Sequence, residues 1–190
     1  DKPSRILLLA ASRKGYLRLC ELLSRAWLGN QHRARAEIDC AWLAEGGTEG
    51  LIALSGAALG DIGHALLADN RAVAEKLARA WAALFPGSFY LELQRAAHPQ
   101  TETLVARTVE LASGLGLPVV ATHPVQFVAR DDFKAHEARV CISQGYVLGD
   151  QRRPKLFSEE QYFKTQDEMA ALFADIPQAF TAIRYHSLVV

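Results

Sequence analysis

The chain predicts an α/β fold built on parallel strands, and three observations carry that prediction. Short, mostly apolar runs recur at 5–9, 51–54, 89–93 and 118–122, the pattern of largely buried strands. Between them lie longer segments whose apolar residues return every three or four positions, as on one side of a helix. Glycine, proline and asparagine sit at the junctions, where turns and caps are needed. Strand–helix alternation of this kind places parallel strands in a barrel or an open sheet.

Taken in order, Arg5–Leu9 (RILLL) is the first strand. The helix after it presents Tyr16, Leu19, Cys20, Leu23, Ala26 and Trp27 on one side and stops at Gly29-Asn30. Residues 30–50 are polar, carry Gly46, Gly47 and Gly50, and read as a connecting excursion. Leu51–Leu54 is the second strand, broken by Ser55-Gly56. Asn70 supplies an N-cap for a helix with Val73, Leu77, Trp81 and Leu84 inward, ending before Pro86-Gly87. Phe89–Leu93 is the third strand. A helix over about 100–113 turns Leu104, Thr108, Leu111 and Ala112 inward, closes at Gly114 and Gly116, and leads through Pro118 into the fourth strand. Beyond Asp131 the pattern is helical. Ser158-x-x-Gln161 and Thr165-x-x-Glu168 each match a capping box, so two short helices are expected after the basic connector 150–155.

Composition narrows the functional classes. At 190 residues and 50% apolar, the chain is long enough for one domain with a substantial core. Lys plus Arg and Asp plus Glu number 21 each, so no net field draws in nucleic acid or anionic lipid. Cys20, Cys40 and Cys141 are far apart and form no CxxC pair, which argues against a disulfide framework or zinc knuckle and for a cytoplasmic, reducing setting. The longest apolar runs fall well short of the roughly 20 residues that span a bilayer. The opening DKPSR is no secretory leader, and the absent initiator methionine leads us to expect a segment of a longer polypeptide.

Candidate chemistry is sparse. LSGAALGDIG (54–63) places glycines after a strand, where backbone N–H groups cradle an anion or simply form a tight turn, with Asp61 as its cap. It is neither a P-loop nor a dinucleotide fingerprint, and the structural turn is the preferred reading. Glu92 alternates with apolar neighbours on the third strand, as an inward ligand or base, or as an outward surface residue. His136 and Glu137 lie beside the apolar stripe Phe133–Val140–Cys141, as an acid/base pair or as hydrogen-bonded anchors; Asp132 stands four residues before His136. His123 follows the fourth strand, a usual place for function in α/β folds. His32, His64 and His98 read as surface residues, and Arg152, Arg153 and Lys155 as a solvated connector or a phosphate contact. No GxSxG-type nucleophile is present.

Six blocks in one order carry a resemblance: GYLRLCELLSRAW (15–27), GLIALSGAALGDIGHALL (50–67), FPGSFYLELQRAAHPQTE (85–102), GLPVVATHPVQF (116–127), DDFKAHEARVCISQGYVLGD (131–150) and RRPKLFSEEQYFKTQDEMAALFADIPQAF (152–180). Over residues 5–180 the chain resembles the bacterial DNA polymerase III α-subunit family of proteobacterial type, in the later part of its PHP (polymerase and histidinol phosphatase) domain. The resemblance implies a partial, distorted β/α barrel over 1–150, a helical connector towards the polymerase palm over 151–180, and a tail at 181–190 outside the family pattern. Metal-bearing relatives use an early HxH-type motif, a Cys in an SGC-type turn, and an Asp and a His after a late strand. Here the turn reads Ser55-Gly56-Ala57, and the late positions hold Pro124 and Gln126. Neither proline nor an amide replaces a carboxylate or imidazole at Zn or Mn.

The resemblance therefore implies a PHP domain with a degenerate metal site: no catalytic, cofactor-binding or metal-ligating residue in this segment, and no cofactor of its own. Mg²⁺ would belong to the palm, which supplies the nucleotidyltransferase activity in the family. The implied partners are the proofreading exonuclease and the rest of the α chain, with DNA reached only through the full-length protein and no membrane. The alternative is a metal-dependent phosphoesterase or nuclease recruiting Glu92, His123, Asp132 and His136. The last ten residues, TAIRYHSLVV, resemble a segment of a glutaminase subunit instead, without its nucleophile, and His186 receives no role.

Overall fold

The computed structural model describes residues 3–33, 35–176 and 180–181. Strand β1 (Leu7–Ala10) leads into helix α1 (Arg13–Gly29), capped by the Ser12 hydroxyl accepting from Gly15 N at 3.2 Å. Residues 30–50 are more structured than a plain excursion. A small hairpin, β2 (Gln31–His32) and β3 (Arg35–Ala36), precedes α2 (Cys40–Gly46), which Asp39 caps. Strand β4 (Leu51–Leu54) follows, then α3 (Asp61–Leu67) and α4 (Arg71–Leu84), with Asn70 accepting from Val73 N at 3.2 Å as its cap. Strand β5 (Phe89–Gln94), α5 (Thr101–Leu115) and β6 (Val119–Thr122) complete the central unit. Helix α6 (Phe133–Gln144), helix α7 (Gln166–Leu172) and strand β7 (Phe180–Thr181) come last.

The sheet order is β1-β4-β5-β6-β7. Strands β4, β5, β6 and β7 run parallel, but β1 pairs antiparallel to β4, with Leu7 opposite Leu54 and Ala10 opposite Leu51. The expectation of uniformly parallel strands therefore fails at β1, because an apolar run does not encode its own direction. Among the described residues the sheet is open, β1 and β7 each having one neighbour; a closed barrel is not formed.

Alternation along the strands divides the residues between two faces. Leu51, Ala53, Phe89, Leu91, Leu93, Val119 and Ala121 enter the main core with residues of α1 to α5, and Met169, Phe173 and Ile176 join the same core. The opposite face carries a smaller apolar cluster, Leu7, Leu54 and Val120, with Leu9, Ile52 and Tyr90 packed against it. Glu92 and Thr122 follow the even-numbered alternation onto that second face.

Two helices sit differently from their sequence pattern. In α1 the buried residues are Gly15, Leu22 and Ala26, whereas Tyr16, Leu17 and Trp27 are exposed. A Cβ on Gly15 would lie 1.9 Å from Gly50 O, so the helix meets its neighbour along its smallest residue and the bulkier ones are turned aside. In α4 the small Ala74 and Ala78 are fully buried and Val73 is exposed. Helix α5 buries Leu104, Thr108, Leu111 and Ala112 as expected, and Gly116 ends it at φ 64°; Gly114 lies within its last turn. Only one of the two expected C-terminal helices forms. Thr165 and Glu168 make the reciprocal box that starts α7, but Ser158–Gln161 closes a turn. No helix among the described residues is long and apolar enough to cross a membrane.

Candidate functional site

The carboxyl ends of β4, β5 and β6 converge on a polar network whose hub is Glu92. This side chain is 3% exposed, which removes the reading of an outward surface residue. Gly56 N donates to its Oε2 at 3.1 Å, Gln94 Nε2 donates to its Oε1 at 3.0 Å, and the Thr122 hydroxyl donates to the same oxygen. Gln94 Nε2 also donates to Thr122 Oγ1 at 3.1 Å, while Ser55 Oγ accepts from Glu92 N at 2.9 Å. A buried carboxylate needs such donors, since desolvation without them is costly. Glu92 thus ties the turn after β4 to the ends of β5 and β6.

The turn itself is a tight one. Gly56 (φ 78°) and Ala57 (φ 45°) both lie in the left-handed region, unfavourable for the alanine. The space beside Gly56 is filled by Arg5 O, 2.2 Å from where a Cβ would stand. Asp61 is the first residue of α3 and not its cap, which is Gly60; Asp61 Oδ1 accepts from Ile62 N at 2.7 Å and Oδ2 from Trp81 Nε1 at 2.9 Å.

The loop after β6 runs beside a strap formed by residues 157–164. Gln126 N donates to Gln161 O at 2.8 Å, and Phe163 N donates to Phe127 O at 3.0 Å, around a parallel bridge between Phe127 and Tyr162. Gln161 is the keystone, at 3% exposure. Its Nε2 donates to Pro124 O at 3.0 Å, and its Oε1 accepts from Ser158 N at 3.0 Å and from His98 Nε2 at 3.2 Å. The Ser158 hydroxyl donates to Ala96 O at 2.6 Å. Sequence spacing marked Gln161 only as a capping partner of Ser158; nothing local signalled that it also bridges to two distant segments, at Pro124 and His98.

His123 is buried, and its Nε2 donates to Glu160 O at 2.7 Å, leaving Nδ1 buried without a partner. Burial pushes its pKa down, the Glu160 carbonyl opposes this and the Lys164 ammonium reinforces it. His136 is also buried, edge-on to Phe157 at 4.7 Å and tilted on Phe127 at 5.4 Å. Its Nδ1 accepts from Arg139 Nη2 at 3.2 Å, and its Nε2 has no partner. Burial, then Arg139, pushes its pKa down, with Glu137 opposing.

The other sequence candidates are dispersed into structural contacts. Glu137 pairs with Arg153 at 2.6 Å, and Arg152 with Asp150 at 2.9 Å, so two of the three connector cations are engaged locally. Asp132 accepts from Ala129 N at 2.9 Å at the start of α6. His32 and His64 are exposed, as expected, but His98 is half-buried against Gln161. Arg95, which sequence reading passed over, donates to Asp175, Glu102 and Leu172 O and so holds the α7 region against the end of β5. His186 lies outside the described residues.

A metal implied by the resemblance finds poor chemistry here. The three positions available for judgement are Ala57, Pro124 and Gln126, none a carboxylate, imidazole or thiolate. Among the described residues no three His, Cys, Asp or Glu side chains group closely enough to hold an ion.

A mixed α/β sheet with turns gathered at its carboxyl ends defines the class, and residues 1–96 match the PHP domain model: the chain belongs to the PHP domain family. Its similarity to curated proteins is more particular. It is 50% identical over 181 residues to DNA polymerase III subunit alpha of Neisseria meningitidis (serogroup A, strain Z2491), covering 94% of this chain. The same protein of Pseudomonas fluorescens is 48% identical over 176 residues, and that of Escherichia coli K12 is 42% identical over 179. The chain spans only 16%, 15% and 15% of these three relatives.

Proposed function

We propose that this chain acts as the PHP segment of a replicative DNA polymerase α subunit, serving as a non-catalytic scaffold on which the proofreading exonuclease docks. One observation carries the reading. The positions that hold cations in metal-bearing relatives are Ala57, Pro124 and Gln126, and their loops are given over to internal hydrogen bonds. The carbonyl of Pro124 and the backbone N–H of Gln126 are both taken by Gln161. Nucleotidyl transfer, with its Mg²⁺, then belongs to the palm of the full-length chain, and DNA is met only there. A cytoplasmic location accords with that replication role.

The test is a pull-down of the full-length α subunit against its cognate exonuclease subunit, paired with elemental analysis of the purified protein. Retained exonuclease without stoichiometric Zn, Mn or Fe is the expected result. Absence of exonuclease binding removes the docking role. Stoichiometric metal with phosphoesterase turnover abolished by Glu92→Gln or His123→Gln replaces this reading with the enzymatic one.

A further inference from the structure

We propose that the outward side of helix α6, with the loop 145–149 that follows it, is a docking surface for an acidic peptide segment of a partner protein, one that carries apolar side chains among its carboxylates. Ile142 is 82% exposed, Val147 71% and Leu148 50%, and Tyr146 is exposed beside them. Every residue from Ile142 to Gly149 is exposed. Single exposed apolar residues are ordinary, but a contiguous group of them marks an interaction surface.

The fold holds these side chains outward. Helix α6 buries His136 and Cys141 on its inner side, while Ala135, Arg139 and Ile142, at i, i+4 and i+7, lie together on the outer one. Gly145, at φ 73°, ends the helix, and Tyr146 N donates to Cys141 O at 2.9 Å. Asp150 N donates to Val147 O at 3.0 Å. Arg153 donates to Leu148 O at 3.2 Å and pairs with Glu137 at 2.6 Å. The loop bearing Tyr146, Val147 and Leu148 is thus fastened to the helix before it and the connector after it, and a partner meets a surface already in shape.

Charge selects the partner. From Phe133 to Leu156 the cations are Lys134, Arg139, Arg152, Arg153 and Lys155, and the anions are Glu137 and Asp150. Both anions are engaged, Glu137 with Arg153 and Asp150 with Arg152. Lys134, Arg139 and Lys155 are exposed, and among the described residues none of them makes an ion pair; Arg139 reaches His136 Nδ1 on its own helix at 3.2 Å. A chain with no net charge therefore gathers uncompensated cations around an apolar group. Carboxylates complement those cations and apolar side chains complement Ile142, Val147 and Leu148, the polar rim and apolar centre of a protein interface.

Other polyanions fit less well. Three free cations are few for a phosphate backbone, and aliphatic side chains give bases no stacking face. A membrane-lying helix presents large apolar residues along its length, where the outer side of α6 has the small Ala135. The inference stands whether or not the exonuclease docks on this chain.

Fluorescence anisotropy on the full-length chain tests it with two pools of short peptides, one alternating Asp or Glu with Leu or Phe, the other alternating Asp or Glu with Ser. The acidic–apolar pool should bind at least about tenfold more tightly than the acidic–serine pool, and should weaken as salt is raised. Ile142→Ser with Val147→Ser should weaken binding at least about tenfold, and so, separately, should Lys134→Glu with Arg139→Glu and Lys155→Glu. All five side chains are exposed, so the urea midpoint should hold. If the triple variant shifts it, Lys134→Gln with Lys155→Gln takes its place. The proposal is overturned if the two pools bind alike, if neither binds, or if the variants bind as wild type does. It is also overturned if these substitutions weaken binding of oligothymidylate or phosphatidylglycerol vesicles and leave the acidic–apolar pool unaffected. Hydroxyl-radical footprinting of Tyr146 gives the last discrimination: a ring already shielded in the peptide-free full-length chain shows that the polypeptide covers this face itself, and the proposal falls.

Discussion

Gln161 offers the sharpest test of how the loop after β6 is held. Replacing it by methionine keeps the length and volume of the side chain while deleting every polar atom of the amide. Three hydrogen bonds disappear: to Pro124 O at 3.0 Å, from Ser158 N at 3.0 Å and from His98 Nε2 at 3.2 Å. At about 1 kcal/mol net for each, the upper figure is about 3 kcal/mol. Ser158 and His98 are half-buried, so water replaces part of what they lose, and about 2 kcal/mol is the expected destabilisation. Urea unfolding at pH 7.5, monitored by circular dichroism, measures it from the shift in midpoint at constant slope. Gln161→Glu should cost more, because a carboxylate oxygen would face the Pro124 carbonyl from a buried position. A Gln161→Met loss below about 0.5 kcal/mol would refute the keystone role and place the strap's attachment in backbone contacts alone.

Two further outcomes are expected. Gly15→Ala should destabilise by about 3 kcal/mol or prevent folding, because the new methyl would sit 1.9 Å from the backbone oxygen of Gly50 and neither chain segment can yield like a flexible side chain; the same urea experiment reports it. Glu168 should titrate near about 2, held down first by the Tyr162 hydroxyl at 2.6 Å and then by Thr165. Its contribution is present above the ordinary value of 4.5 and fades only as pH falls towards about 2. Carbon-13 NMR of the carboxyl group checks this, and Tyr162→Phe should move the midpoint upward.

How much of this was legible in the sequence depends on the range of the interaction concerned. Leu51–Leu54 announced itself because a strand buried on both faces has no polar residue to blur its limits, and Phe89–Leu93 because Glu92 is the one polar residue among apolar and aromatic neighbours. Asn70 and the Thr165–Glu168 box were legible because a cap is satisfied within three residues. The direction of β1 was not, since Leu7–Ala10 reads identically whichever way its neighbour runs. Nor was the inner side of α1: hydrophobic periodicity favours Tyr16 and Trp27, but the contact that decides orientation is a glycine meeting a glycine from another part of the chain.

The candidate site divides along the same line. That Ala57, Pro124 and Gln126 are poor ligands is a statement about side-chain chemistry and needs no coordinates. How those loops are held is a long-range matter, visible only when Gln161, 37 residues beyond Pro124, is seen to close on it. The strained turn at Gly56-Ala57 and the buried carboxylate of Glu92 share that logic. A left-handed alanine and an ionisable group inside the sheet are each unfavourable alone, and each is held by the other's neighbourhood through the Gly56 N–H donated to Glu92. If that mutual support maintains the mouth of the sheet without a cation, Glu92→Gln, which keeps an acceptor but turns one oxygen into a donor facing Gly56 N–H or Thr122, should loosen the turn more than its size change warrants. Slower exchange at Gly56 N–H in the wild type than in Glu92→Gln is the corresponding observation.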